Sequence, residues 1–271
     1  MKIERTQNAS RNILFGGWLK LLQIVIPFLM RTAMTYFIGI QYLGLNSLFT
    51  SVLQVLNLAE LGVGSAMVYS MYKPIAEDDT KSICALMRMY QLYYRAIGLI
   101  VLALGLLLLP FIPNLIKGEI PSDINVYVLY LINLSTTVLS YWLFAYKNSL
   151  LQAHQRTDIA SKVMIITNII QYLLQFLVLW LFKSYYLYVI VILLTQALTN
   201  ILTASVVTKL YPNYKPEGKL AQKEVKNINC RIRDLFTSKI GGVIINSADT
   251  VVVSAFLGLT MLAVYQNYYF I

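Results

Sequence analysis

Five charged side chains stand inside long, otherwise uncharged or nearly uncharged runs: Lys20, Arg31, Glu60, Arg95 and Asp249. A charge at the middle of a lipid-exposed helix costs roughly 2.5–3.5 kcal/mol on insertion scales, so each is expected to face a partner or a polar interior. Lys20, Gln23, Pro27 and Arg31 recur at steps of three and four and so share one helix face. Arg31 follows Ile13 by about 18 residues, or ~27 Å of helix, which places it deep in its run. Lys20, Arg31 and Arg95 together outnumber Glu60. A guanidinium fork matches phosphate oxygens, so the expected chemistry is the binding of an anionic, phosphate-bearing group by Arg31, Arg95 and Lys20.

Glu60 raises a separate question. A Lys20–Glu60 ion pair, a proton-titrating switch and a polar contact to cargo are all open at this stage, and Asp249 is a second group that could couple transport to an ion. Gly62, Ala66 and Ser70, spaced by four, form a small-residue stripe on the far side of the same helix from Glu60, suited to close helix packing.

The elements that must position these groups follow from composition. Of the 271 residues, 58% are hydrophobic and 13% charged, with a mean hydropathy of +0.64, which describes an all-α polytopic membrane protein. Runs long enough to cross ~30 Å of hydrocarbon occur at 13–40, 48–72, 83–116, 124–146, 163–182, 185–210 and 240–257, with an eighth opening near Met261. Polar residues recur at helical spacing on several of them: Arg88, Gln91 and Arg95; Asn133, Thr137 and Ser140; Asn168, Gln171 and Gln175; Gln196, Thr199 and Thr203. Read together, the stripes predict a polar central cavity, although amides and hydroxyls also join helices directly.

Lys and Arg set the expected topology. Seventeen of the 22 fall at the N-terminus or at alternate connections, and Lys117 and Lys183 fall on the other side. Short positive loops resist translocation, so a cytoplasmic N-terminus is expected. The net charge of +10 then reflects topology, and nucleic acid is not an expected partner. Residues 1–210 read as a complete N-terminal six-helix lobe. Residues 211–239 read as a basic cytoplasmic linker, with an amphipathic interfacial helix from about Leu220 to Phe236. Residues 240–271 read as the first one to two helices of a second, incomplete lobe. A shift of 219 residues superposes Lys20 on Lys239, Ile26 on Ile245, Phe37 on Phe256, Gly39 on Gly258 and Leu43 on Leu262, and Thr35 on Ser254. Such internal repeats are common in secondary transporters.

Catalysis finds little support. Glu77–Asp79 sits beside Lys73 and Lys81 and reads as a solvated turn. His154 has no neighbouring Cys or His for a metal and no serine partner, and reads as a loop histidine. Cys84 and Cys230 make no metal motif and are expected to stay reduced. No phosphate-binding loop of the G-x-x-x-x-G-K-[ST] type occurs, and neither a metal nor a cofactor is expected.

The stretches "RTAMTYFIGIQYLGLNSLFTSVLQVLNLAELGVGSAMVYSMYKPIAEDD" (31–79), "ALMRMYQLYYRAIG" (85–98), "SYWLFAYKNSLLQAHQ" (140–155) and the closing "NYYFI" resemble bacterial polysaccharide biosynthesis transporters of the O-antigen or capsule repeat-unit flippase (Wzx) type. That family shares a superfamily with multidrug exporters and lipid II flippases. The resemblance implies two lobes around a cationic cavity in the bacterial cytoplasmic membrane. It also implies movement of undecaprenyl-pyrophosphate-linked oligosaccharide between leaflets by alternating access, beside polysaccharide polymerase and export proteins. An ion-coupled multidrug antiporter is the alternative, and an integral-membrane glycan polymerase or transferase a more distant one.

Overall fold

The computed structural model describes residues 5–117 and 120–270. All regular structure among them is helical: α1 (Arg5–Phe37), α2 (Ile40–Leu56), α3 (Val63–Ala76), α4 (Thr80–Leu108), α5 (Val126–Trp142), α6 (Asn148–Ala153), α7 (Thr157–Phe182), α8 (Tyr185–Leu210), α9 (Gln222–Leu257) and α10 (Leu259–Phe270). Six elements are long and apolar enough to cross a membrane, and a seventh arises if α5 and the 145–153 segment, bent by 47°, count together. Lys2, Gly118, Glu119 and Ile271 lie outside the described residues.

The spans alternate in direction, so the start of α1, the end of α3, the start of α4, the ends of α6 and α8 and the start of α9 share one end of the bundle. That end carries most of the Lys and Arg and is called the basic end below. Helix α1 exposes Trp18, Leu21, Ile24, Val25 and Phe28, an apolar face fit for acyl chains. Its other side packs along α7, α7 along α8, and α5 joins α4 and α8. Close approach of α4 and α5 relies on absent side chains: a Cβ on Gly105 would collide with Leu134, and one on Gly98 with Trp142. Tyr130, fully buried, spans that seam by donating to the Gly105 carbonyl at 3.1 Å.

Three features differ from the expected spans. The second span is not one helix. It breaks between α2 and α3 into a 3-10 turn, Asn57–Glu60, and Gly62 opens α3 in the left-handed region at φ +86°. Glu60 therefore precedes the helix carrying Ala66 and Ser70 and does not share its register. The amphipathic helix expected at 220–236 and the span expected at 240–257 are one continuous 36-residue helix, α9. Finally, 211–221 is docked against the bundle: Tyr211 and Tyr214 stack on His154, Cys84 Sγ reaches the Asn213 carbonyl at 3.7 Å, and Arg88 donates to the Gly218 carbonyl at 3.3 Å.

The repeat has a structural counterpart. Gly39 (φ +111°) sits at the α1–α2 turn and Gly258 (φ +86°) at the α9–α10 turn, each a backbone conformation open to glycine without strain. Helix α10 packs on α2, its own counterpart under the 219-residue shift, and a Cβ on Gly44 would collide with the Leu259 carbonyl. The α9–α10 turn is also tied to the segment after α4. Ser254 Oγ donates to the Leu115 carbonyl at 2.6 Å, and the Lys117 amide donates to the Ser254 carbonyl at 3.2 Å.

Candidate functional site

Two polar centres emerge inside the bundle. The first surrounds Arg31. The side chain is half-buried, and its Nε donates to Asn267 Oδ1 on α10 at 3.0 Å. Tyr188, near the start of α8, lies within its electrostatic reach, and Gln175 on α7 reaches that same tyrosine. Gln175 is 1% exposed, with its Oε1 unpartnered. Four helices, α1, α7, α8 and α10, thus converge on one guanidinium. Arg31 stands two turns after lipid-facing Ile24 and next to buried Met30, at the border between the two faces of α1, where side chains of other helices reach it.

The second centre is Glu60. Its Oε1 accepts from Tyr94 Oη at 2.6 Å, and Tyr94 accepts in turn from Tyr90 Oη at 2.9 Å. The two tyrosines lie four apart on α4 with rings at 4.5 Å, and Tyr141 of α5 packs at 5.6 Å while donating to Asn57 Oδ1 at 2.9 Å. Gly64 leaves room for this: a Cβ there would meet Tyr90 Oη at 3.0 Å and Glu60 Oε1 at 3.6 Å. The Lys20–Glu60 ion pair does not form among the described residues. Lys20 is exposed, and so is Lys239 of α9, whose Nζ lies 3.5 Å from Ser65 Oγ, on the helix that follows Glu60. A three-to-four residue spacing on α1 does not determine which helix faces the carboxylate.

The remaining cavity residues fall into two groups. On α5, α7 and α8 the polar stripes engage one another or their own backbone. Asn133 and Thr137 bond carbonyls one turn back. Thr195 donates to Gln171, Gln196 to Asn200, and Asn200 to the Ser140 carbonyl. Each such interhelical bond contributes ~0.6 kcal/mol, so these stripes join α5, α7 and α8 as well as presenting polar atoms. Gln23, Gln91 and Asn168 are partly buried, without a side-chain hydrogen bond among the described residues. Arg95 is exposed and lies near Tyr146. The structure therefore does not gather Lys20, Arg31 and Arg95 around shared neighbours. Asp249 is exposed and accepts from Tyr265 at 3.0 Å.

Sequence reasoning passed over Tyr90, Tyr94, Tyr188, Lys239 and Asn267. The i, i+4 pair Tyr90/Tyr94 was visible, but tyrosine counts as apolar in a hydropathy reading, and Lys239 was assigned to the linker. His154 is likewise not a solvated loop residue. It caps α6, is 4% exposed, bonds the Leu150 carbonyl at 2.9 Å through Nδ1, and stacks on Tyr211 at 4.4 Å. Burial pushes its imidazole below the ordinary histidine value. Glu77–Asp79 matches its reading as a turn: Asp79 caps α4 through the Ser82 amide, and exposed Glu77 pairs with Lys73 at 3.8 Å. Among the described residues no cluster of three or more His, Cys, Asp or Glu is placed to hold a metal.

The family described as polysaccharide biosynthesis protein matches residues 9–271, nearly the whole chain. The chain belongs to that family. No curated protein and no solved structure matches it.

Proposed function

We propose that this member of the polysaccharide biosynthesis family is a transporter, not an enzyme, moving an anionic lipid-linked oligosaccharide between bilayer leaflets by alternating access. The cargo is an undecaprenyl-pyrophosphate-linked repeat unit of a surface polysaccharide. The membrane is the bacterial cytoplasmic membrane, with the basic end facing the cytoplasm. One observation carries the reading: the half-buried guanidinium of Arg31, deep in α1, is reached by polar side chains of other helices, with Nε donating to Asn267 Oδ1 of α10 at 3.0 Å and Tyr188 of α8 nearby. A guanidinium held deep in a span suits a ligand that brings negative charge, and a diphosphate does so with the matching geometry. The polar faces of α5, α7 and α8 offer amides and hydroxyls of the kind that bind sugar hydroxyls. Glu60 and Asp249 are the groups assigned to ion coupling.

The test is genetic. Arg31→Ala removes surface glycan while the protein still inserts, and Arg31→Lys retains part of it because a point charge replaces the fork incompletely. Normal glycan in Arg31→Ala would remove Arg31 from the transport path.

A further inference from the structure

Asn267 closes a run of three polar residues on α10, each bonded to another helix. Tyr265 donates to Asp249 and Gln266 to Thr250, both on α9, whereas Asn267 accepts from Arg31 on α1. We propose that Asn267 is a second phosphate-contacting residue of the Arg31 site, a donor supplied by α10, and that the site is complete only while α10 is docked against α2. Its role rests on the reading of Arg31 as the cation that meets the diphosphate of the cargo.

Chemistry fixes how the amide is turned. A guanidinium carries donors alone, so the atom that Asn267 sets 3.0 Å from Arg31 Nε is its Oδ1. The other arm of the amide, Nδ2 with its two N–H donors, is thereby turned away from Arg31, and it makes no hydrogen bond among the described residues. Asn267 is exposed, so those donors are open to a ligand. The two residues also lie at matching depth. Arg31 precedes the end of α1 at Phe37 by six residues, and Asn267 follows the start of α10 at Leu259 by eight, which is ~9 and ~12 Å of helix from the same end of the bundle. An amide left open at that depth is costly against hydrocarbon and favourable beside a polar ligand.

The two side chains then divide the work. A guanidinium and a primary amide side by side offer N–H groups to neighbouring oxygens of one diphosphate, and hydrogen bonds to an ionised acceptor are the strong ones. Arg31 supplies the charge. Asn267 adds donors and, by taking Nε, fixes the plane of the fork. These donors reach the site from different elements, Arg31 on α1 and Asn267 on α10, and the seat of α10 is the face of α2. Gly44 of α2 sets that seat, since a Cβ there would collide with the Leu259 carbonyl at the start of α10. A movement that parts α10 from α2 carries the amide away from the cation, so phosphate affinity falls with it. Differential affinity between two states is the means by which a transporter takes up and releases its cargo.

Binding is measured on the purified chain in lipid nanodiscs, with a prenyl diphosphate as the probe and the uncharged prenol as the control, below the melting temperature of each variant. Asn267→Ala lowers diphosphate affinity about tenfold, the loss of a hydrogen bond to a charged group, and leaves prenol binding unchanged. Asn267→Asp separates the two roles of the amide. Its carboxylate still accepts from Arg31 but has no N–H to donate, so affinity falls at least as far as in Asn267→Ala, whereas a residue that merely held Arg31 in place would keep the parent affinity. Gly44→Ala touches neither side chain and lowers diphosphate affinity by displacing α10. Parent-like diphosphate affinity in Asn267→Ala or Asn267→Asp overturns the assignment, as does an equal loss of prenol binding. Parent-like affinity in Gly44→Ala overturns the dependence on docking. If the parent binds the diphosphate no more tightly than Arg31→Ala, the transport reading fails; if Arg31→Ala alone loses affinity, only the role of Asn267 does.

Discussion

Arg31 and His154 show the two ways in which a polar side chain is buried in this bundle. Arg31 donates to Asn267 on another helix, and its role in binding is tested by competition. A diphosphate-bearing lipid should bind the parent chain about tenfold or more tighter than Arg31→Ala, the loss expected for a charge-assisted hydrogen bond, with little change for a neutral lipid analogue. Equal loss for both analogues would point to misfolding. His154 instead gives up its charge. Its folded value lies below the ordinary 6.5, so the unfolded or undocked state binds the proton more readily. The stabilisation is complete above 6.5 and is lost as pH falls through the interval beneath it. Limited proteolysis between Tyr211 and Ala221 should therefore accelerate below pH 6.5, and His154→Gln should remove that dependence. Unchanged cleavage would mean that the ring does not hold the segment. Arg31 was legible because a charge deep in an apolar run stands out. His154 was not, since its burial comes from two tyrosines almost sixty residues downstream.

Helix boundaries were legible where hydropathy changes sharply and obscure where backbone conformation decides. Each of the seven long runs falls on an observed helix or helix pair, yet the break at Asn57–Gly62 lies within an apolar run, marked only by Asn57, Glu60 and Gly62. Fusion of the linker helix with the following span was hidden because Arg231 and Lys239 resemble loop charges, whereas on α9 they meet Tyr69 and Ser65 of the broken span. Glycines separate these cases experimentally. Gly44→Ala forces α2 away from the α9–α10 turn, and Gly62→Ala adds a strained φ to a contact with Leu235. Each should cost about 1–3 kcal/mol, measured as a loss of thermal stability in detergent. Gly16→Ala and Gly241→Ala meet nothing within 4 Å, and helix propensity predicts unchanged or slightly raised stability. Equal behaviour of the four variants would contradict the packing described.

At the scale of the whole molecule the organising feature is the repeat. The 219-residue shift was faint as sequence, a few identities among apolar residues, but it aligns two helix–turn–helix units whose turns both hinge on a positive-φ glycine. Helices α2 and α10, equivalent under the shift, pack against each other, as elements beside a pseudo-two-fold axis do. Arg31 meets Asn267 across that junction, so the cation assigned to cargo is bonded to the part of the chain expected to move during alternating access. The most direct test reconstitutes the chain in liposomes loaded on one leaflet with a pyrophosphate-linked oligosaccharide lipid and follows its appearance on the other. The account predicts transfer by the parent chain, loss by about tenfold or more in Arg31→Ala, and partial retention in Arg31→Lys. Transfer at the parent rate by Arg31→Ala would contradict it.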